Sequence, residues 1–268
     1  MTQEPETQRS MPEFDMSVPN PARMWNYWLG GKDNFAADRE AAQKVAAAMP
    51  EMPLIARATR RFVVETVYEL AASRGVRQFL DIGTGLPVAD STHQVARRAD
   101  LDARVVYVDN DPVVTSHARA LLANDAGAAV AYLHLDLRDT GAILAGAART
   151  LDLDQPVAVM LAAILHFIPD SDDPWAVVAR LKDAMATGSY LVIEHAASDI
   201  GAEAVATMAG GYNERARVPI TPRSQEQVAR FFDGLHLTGP GVVPAGRWWA
   251  PGQSDGDLAA YFGIGRKG

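Results

Sequence analysis

Apolar residues in roughly the first seventy positions recur at intervals of three and four, and from residue 78 they bunch into short unbroken runs. The change of period divides the chain. Residues 22–29, ARMWNYWL, put Met24, Trp25, Trp28 and Leu29 on overlapping faces of a short amphipathic helix that Gly30 and Gly31 end. A second helix is expected over 34–48, with Asp33 or Asn34 as its cap. A third, over 54–73, carries Ile55, Phe62, Val63, Val67 and Leu70 at helical spacing and stops before Gly75. Three helices thus precede the first strand.

The runs QFLDI at 78–82, RVVYVD at 104–109, AVAYLHLD at 129–136 and PVAVML at 156–161 read as strands of a parallel sheet buried on both faces. Segments such as 91–98 and 112–124 between them read as helices, which gives the β-α-β-α alternation of a doubly wound sheet. A helix at 174–186 leads to a fifth strand, SYLVIEH, at 189–195. Helices are expected near 200–208 and over 224–232, separated by the loop GGYNERARVPITPRS. LHLTGP and LAAYFGIGRK supply a terminal strand pair, one of them inserted antiparallel beside the fifth strand. The expected architecture is an α/β, Rossmann-like seven-stranded sheet with a helical cover at its amino-terminal side. The expected organisation is a leader over 1–20, a helical cover over 21–75, and a core over 76–268 with a helical and loop insertion near 198–232.

Composition narrows the chemistry. With 268 residues, 48% of them hydrophobic, the chain can bury a core without staples. It has no cysteine, which removes disulfides, thiolate metal sites and a cysteine nucleophile. A net charge of −8 disfavours a broad nucleic-acid footprint. The opening residues, MTQEPETQRSMPEFDM, lack the basic start and apolar run of a secretory signal, and no stretch reaches membrane-spanning length. The expectation is a cytoplasmic protein with no membrane association, no nucleic-acid partner and no metal. Oligomeric state is not encoded in these patterns, which are compatible with a homodimer.

The chemistry-bearing signal is FLDIGTGLP at 79–87, a strand ending in an acid followed by Gly-x-Gly. Gly83 and Gly85 let backbone approach a ligand closely. Asp81 suits a cationic amino group or an ordered water, and it would repel a pyrophosphate. The dinucleotide fingerprint Gly-x-Gly-x-x-Gly fails at Val88, which weakens a nicotinamide-dependent oxidoreductase reading. Asp109, 28 positions beyond Asp81 and so one βαβ step away, is placed to accept both hydroxyls of a ribose. Asp136 in LHLDLRD is placed to accept the exocyclic amine of adenine. Short acids also end strands merely as turn formers, but here three strand ends present three carboxylates.

At these residues the chain resembles the actinobacterial S-adenosylmethionine-dependent methyltransferases once catalogued as a domain of unknown function (DUF574-like), within the class I methyltransferases. PNPARMWNYWLGGKDNFAADREAA, FLDIGTGLP, VVYVDNDPVV, YLHLDLRD, LAAILHFIPD and the region GGYNERARVPITPRSQEQVARFFDGL carry the resemblance. The antiparallel strand beside the fifth is also of this type. The resemblance implies S-adenosylmethionine as cofactor, with Asp81, Gly83 and Gly85 around its methionine part. It also implies Asp109 and Asn110 at the ribose, and Asp136 and Leu137 near the adenine. Ala162, Ala163 and His166 would line the sulfonium and acceptor side, and Tyr27, Gly31 and Lys32 would fold over the pocket. The acceptor would be a small molecule, and methyl transfer would rest mainly on positioning. A cofactor-binding protein without catalysis is the alternative.

Other residues have two readings each. His166 is the candidate general base, or a packing histidine beside Phe167. Glu194 and His195 orient an acceptor or cap a loop. Trp248 and Trp249 line an acceptor pocket or anchor the last strands. Arg215 and Arg217 bind an acidic substrate or are solvated loop charge.

Overall fold

The computed structural model describes residues 15–87, 89–116, 129–214, 216–249 and 256–268. Val88, Arg215, most of the leader and residues 117–124 of the expected helix at 112–124 lie outside the described residues; 112–116 are helical. Three helices come first: α1 (Pro21–Trp28), α2 (Ala36–Ala48) and α3 (Met52–Arg74). The sheet follows with β1 (Gln78–Ile82), α4 (Thr92–Ala99), β2 (Arg104–Asp109), β3 (Val130–His134), α5 (Thr140–Ala147), β4 (Ala158–Ala162), α6 (Pro174–Asp183) and β5 (Tyr190–Ala196). The last part holds α7 (Ala202–Asn213), α8 (Gln225–Ala229), β6 (His236–Leu237), β7 (Val243–Pro244) and β8 (Ala260–Arg266). Short 3-10 turns lie at Leu165–Phe167, Asp170–Asp172, Arg230–Phe232 and Ala245–Arg247.

The strand order is β3-β2-β1-β4-β5-β8-β6, with β7 also paired to β8. β1 to β5 are parallel, and β8 lies antiparallel along the whole of β5, from Tyr190↔Arg266 to Ala196↔Ala260. Eight strands appear where seven were expected because the outer strand is broken. β6 continues the register His236↔Arg266 and β7 resumes at Val243↔Phe262, so the five residues 238–242 stand opposite only Gly263 and Ile264. Pro240, between Gly239 and Gly241 at positive φ, cannot hold a straight strand there. The helix α5 was not singled out from sequence: TGAILAGA is apolar almost all round, with Asp139 capping through a bond from Ala142 N. Such a segment has no helical period to read.

The helices before β1 are pinned by a buried charge pair. Arg23 donates from Nε to Asp38 Oδ2 at 2.7 Å, both side chains being almost wholly buried, and from Nη2 to Val18 O. Asp38 also accepts the backbone N–H groups of Asn20 and Phe35, at 2.8 Å each. That explains why α2 starts at Ala36: Asp38 closes it from inside by half of a capping box. Asn34 instead donates its amide to Asn26 Oδ1 and Gly31 O. α3 and α4 pack together, and α5 packs with α6. α3 ends on Gly75, whose φ of 68° closes the helix in the left-handed region.

Candidate functional site

A cavity of about 310 Å³ opens at the carboxyl ends of the parallel strands, where open α/β sheets bind ligands. Its wall is built on one row of the sheet. Asp109 stands opposite His134, and Ala162 opposite Glu194. Continuing the register of β1 by one residue beyond Ile82↔Val108 places Gly83 beside Asp109, and two beyond Asp81↔Met160 beside Ala162. Asp109, Gly83, Ala162 and Glu194 all line the cavity. α1 and α3 close it from above, with Trp25 and Trp28 on α1 and Met52, Ile55, Thr59 and Val63 on one face of α3.

The Gly-x-Gly turn shapes the middle of the wall. Gly83 has a φ of 76°, and a Cβ there would lie 2.7 Å from side-chain atoms of Ile164, so only glycine lets the loop after β4 approach. Gly85, at φ 65°, sends its N–H to Asp109 Oδ2 at 2.9 Å. Asp111 N donates to the other oxygen, Asp109 Oδ1, at 2.9 Å. Each oxygen keeps one acceptor position, so the carboxylate is a two-pronged acceptor suited to a vicinal diol. Burial pushes its pKa up to about 6 against these two N–H groups.

Asp81 accepts the Thr92 hydroxyl at 2.6 Å. Burial raises its pKa, opposed by that hydroxyl and by the charge of Arg60. Arg60, on the cavity wall from α3, donates to the carbonyls of Ala89 and Asp90. An acid and a cation thus flank the turn, as the two ends of an α-amino acid require. Asp136 is different. Arg138 N and Nε donate to its Oδ1, and Arg138 Nη2 and Asn110 Nδ2 to its Oδ2, at 2.8 to 3.1 Å. These bonds, those from Arg138 first, hold its pKa down at about 2. All four acceptor positions of the carboxylate are filled, so an adenine amine reaches Asp136 only if Asn110 lets go. Leu137, buried beside it, offers an apolar surface.

Four buried side-chain atoms on this wall have no hydrogen-bond partner among the described residues: Thr59 Oγ1, Asp111 Oδ2, His166 Nδ1 and Glu194 Oε2. Orphaned polar atoms cost stability unless something meets them, and four on one cavity mark a ligand site.

The chain matches the family described as S-adenosyl methyltransferase over residues 7–268. It belongs to that family. A DUF574 family protein from Streptomyces avermitilis is 37% identical, with 95% of this chain and 99% of that one covered and a TM-score of 0.88. A candidate methyltransferase from Thermobifida fusca is 38% identical, with 94% and 96% covered and a TM-score of 0.87. TnmH, 19% identical over 85% of this chain and 58% of its own with a TM-score of 0.52, shares the fold. No curated protein matches the chain. Membership makes S-adenosylmethionine the cofactor and displaces the nicotinamide alternative.

The cavity fits that cofactor, with a diol acceptor at Asp109, an acid and a cation beside the Gly-x-Gly turn, and unpartnered polar atoms around it. Asp81, Gly83, Gly85, Asp109, Asn110, Asp136, Leu137, Ala162, Ala163 and His166 come together on its wall. Tyr27, Gly31 and Lys32 do not. Tyr27 Oη accepts from Gln43, and Gly31 packs against the side chain of Asn26; Trp25, Asn26 and Trp28 line the cavity in their place. The periodicity of α1 left the inward face open, and the anchoring of Arg23 on Asp38 decides it.

His166 is buried against Phe167, and burial together with the Arg223 charge lowers its pKa to about 3. An imidazole that holds a proton so weakly is a poor general base. His195 is wholly buried, is not on the cavity wall and accepts from Arg223. Trp248 packs edge-on to Phe62, and Trp249 donates to Glu65 under Arg61, so both anchor the carboxyl-terminal segment to α3. Arg217 is not on the wall of this cavity. Thr59, Arg60 and Asp111 were not singled out from sequence, although a Thr and an Arg breaking the apolar stripe of α3 are a readable signal. No group of three or more potential ligands among the described residues is placed to hold a metal ion, and no helix there is long and apolar enough to cross a membrane.

Proposed function

We propose that the protein transfers a methyl group from S-adenosylmethionine to a small-molecule acceptor held beside it in the same cavity. When bound, the cofactor supplies an electrophilic methyl on a sulfonium. The chain's own residues bind, orient and exclude water. Asp109 holds the ribose diol through its two remaining acceptor positions. Asp81 and Arg60 take the ammonium and carboxylate of the methionine part. Leu137 packs on the base, and Gly83 and Ala162 let the reacting centre approach the backbone. The helices of 21–75 act as a cover, so Trp25 and Trp28 shut solvent from the reaction. The observation that carries this reading is the Asp109 carboxylate, fixed by Gly85 N and Asp111 N with one free position per oxygen. The net charge of −8 supports a small acceptor over a nucleic acid.

Calorimetric titration with S-adenosylmethionine, S-adenosylhomocysteine and NADH tests the cofactor assignment. Saturable binding of the first two and none of NADH is expected; failure of both sulfur nucleosides to bind ends the proposal. Release of S-adenosylhomocysteine that depends on an added acceptor then separates an enzyme from a binding protein.

A further inference from the structure

The cavity has two chemically different ends. Among the described residues, its charged wall residues other than Glu194 are Arg60, Asp81, Asp109, Asp111, Asp136 and Arg138, all on α3 or on the carboxyl ends and following loops of β1, β2 and β3. Glu194 stands in the same register row as Asp109, but on β5. Three strand spacings separate them, roughly 14 Å at ~4.8 Å each. If Asp109 holds the ribose and the Asp81–Arg60 side holds the amino-acid end, the cofactor's own polar groups are matched without Glu194.

We propose that Glu194 and His166 form the polar end of the acceptor subsite, and that the acceptor is an uncharged, mainly apolar molecule that sets a hydroxyl or an unprotonated amine against them. The inference rests on the reading of this cavity as an S-adenosylmethionine site.

Several independent observations converge there. Glu194 is 2% exposed and His166 7%, and Glu194 Oε2 and His166 Nδ1 both lack a partner among the described residues although their residues line the cavity. Buried polar atoms of this kind are met by protein, water or ligand. The segments around them are fixed rather than adaptable. Thr221 N donates to His166 O at 2.7 Å, and Asn213 makes two bonds with Ile220, which holds α7 and the strand-like segment at 220–223 to the 3-10 turn. Ala163, with a φ of 58°, is held in the left-handed region between β4 and that turn, a strain that persists only where the surroundings impose it.

The cavity-lining residues tied to His166 are apolar: Ile164 and Phe167 lie within two positions of it in the chain, and Ile220 precedes Thr221, whose N–H bonds its carbonyl. Burial pushes the Glu194 carboxyl up to about 8 and, with the charge of Arg223, the His166 ring down to about 3, so the neutral form of each is favoured near pH 7. A neutral carboxylic acid offers a donor and an acceptor, and a neutral imidazole offers one of each. A charged acceptor would have to be desolvated here, where the nearby charge of Arg223 is already paired with Asp170, which is costly.

Protein saturated with S-adenosylhomocysteine is titrated with p-cresol, toluene, benzylammonium and benzoate, followed by ligand-observed NMR. The same probes are applied to Glu194→Leu, Glu194→Gln and His166→Phe, with thermal melting to confirm folding. In the wild type, p-cresol is expected to bind about tenfold more tightly than the other three. Glu194→Leu should abolish the preference for p-cresol over toluene, whereas Glu194→Gln, whose amide still donates and accepts, should keep it within about threefold. The affinity for S-adenosylhomocysteine should change less than about twofold in both variants. If Glu194→Leu does not fold, His166→Phe carries the test, with a loss of about threefold or more expected.

The proposal is overturned if p-cresol binds no better than toluene, if benzylammonium or benzoate is preferred, or if the preference survives the folded variants. A tenfold loss of S-adenosylhomocysteine affinity in Glu194→Gln also overturns it, because Glu194 would then belong to the cofactor. Failure of wild-type protein to bind S-adenosylhomocysteine is a different result, and it falls on the proposed function itself.

Discussion

Arg223 donates from Nη1 to His195 Nε2 at 2.9 Å, in a side chain with no solvent exposure. A guanidinium can only donate, so His195 accepts there and its Nδ1–H goes to Ala196 O at 2.9 Å. The remaining N–H groups of Arg223 reach Leu165 O, Ile168 O and Asp170 Oδ1, so one side chain ties the turns after β4 to the end of β5. Both elements line the cavity. Arg223→Met should lower the unfolding free energy by about 3–5 kcal/mol, since it strands buried acceptors on two segments. Urea denaturation measures this; a loss below about 1 kcal/mol would mean that the network does not bear the turns.

Asp109 sets a pH dependence whose sign follows from its raised pKa of about 6. A diol donates to the ionised carboxylate, so binding must first remove the proton below that pH. Affinity for S-adenosylhomocysteine should fall by nearly tenfold per pH unit below about 6, with a proton released on binding, and stay flat above it. Asp109→Asn should weaken binding about tenfold or more and remove the slope. In the free protein the sign is opposite in kind. The folded state holds this proton from about pH 4 to 6 while the unfolded chain has lost it, so this residue's contribution to stability declines as pH rises through that window. Calorimetry in buffers of different ionisation heat reads the proton release directly.

In the proposed function Arg60 meets only the amino-acid end of the cofactor. Arg60→Leu should reduce affinity for S-adenosylhomocysteine about tenfold and leave 5′-methylthioadenosine, which lacks the amino-acid carboxylate, within about twofold. Equal losses for both ligands would show that the side chain merely supports the loop at Ala89 and Asp90.

Gly83→Ala adds a methyl group at a φ of 76° and against Ile164. Both terms act in the folded state, and a loss of about 1–3 kcal/mol is expected together with weaker cofactor binding. Pairing it with Ile164→Ala should recover part of the stability, since the clash is removed while the backbone strain stays. Melting temperatures of the single and double variants check the division.

The strands and most helices were legible because they obey a period. FLDIGTGLP and VVYVDNDP announce strand ends with acids, and Gly83, Gly85 and Asp109 meet on the cavity wall. What the sequence hid depends on partners distant along the chain. Asp136 reads as an open acceptor until Arg138 and Asn110 are seen to fill it. Tyr27, Gly31 and Lys32 sit in the most family-like stretch, yet the rotation of α1 is set by Arg23 meeting Asp38, 15 residues on, and turns Trp25 and Trp28 inward instead. Glu194 and His195 are neighbours in sequence with opposite surroundings. One lines the cavity with a carboxyl oxygen, Oε2, that has no partner among the described residues, and the other is satisfied by Arg223, a distinction that alternation along a strand permits but does not assign.

The break between β6 and β7 bears on how the protein meets other copies of itself. An unbroken outer strand would offer a ladder of backbone groups onto which another sheet could add. Here the two short pieces are out of phase by the residues that bulge between them, and Pro244 has no N–H to give. The margin beyond β8 is therefore a poor template for strand addition, and self-association of the sheet is opposed on that side by backbone geometry alone.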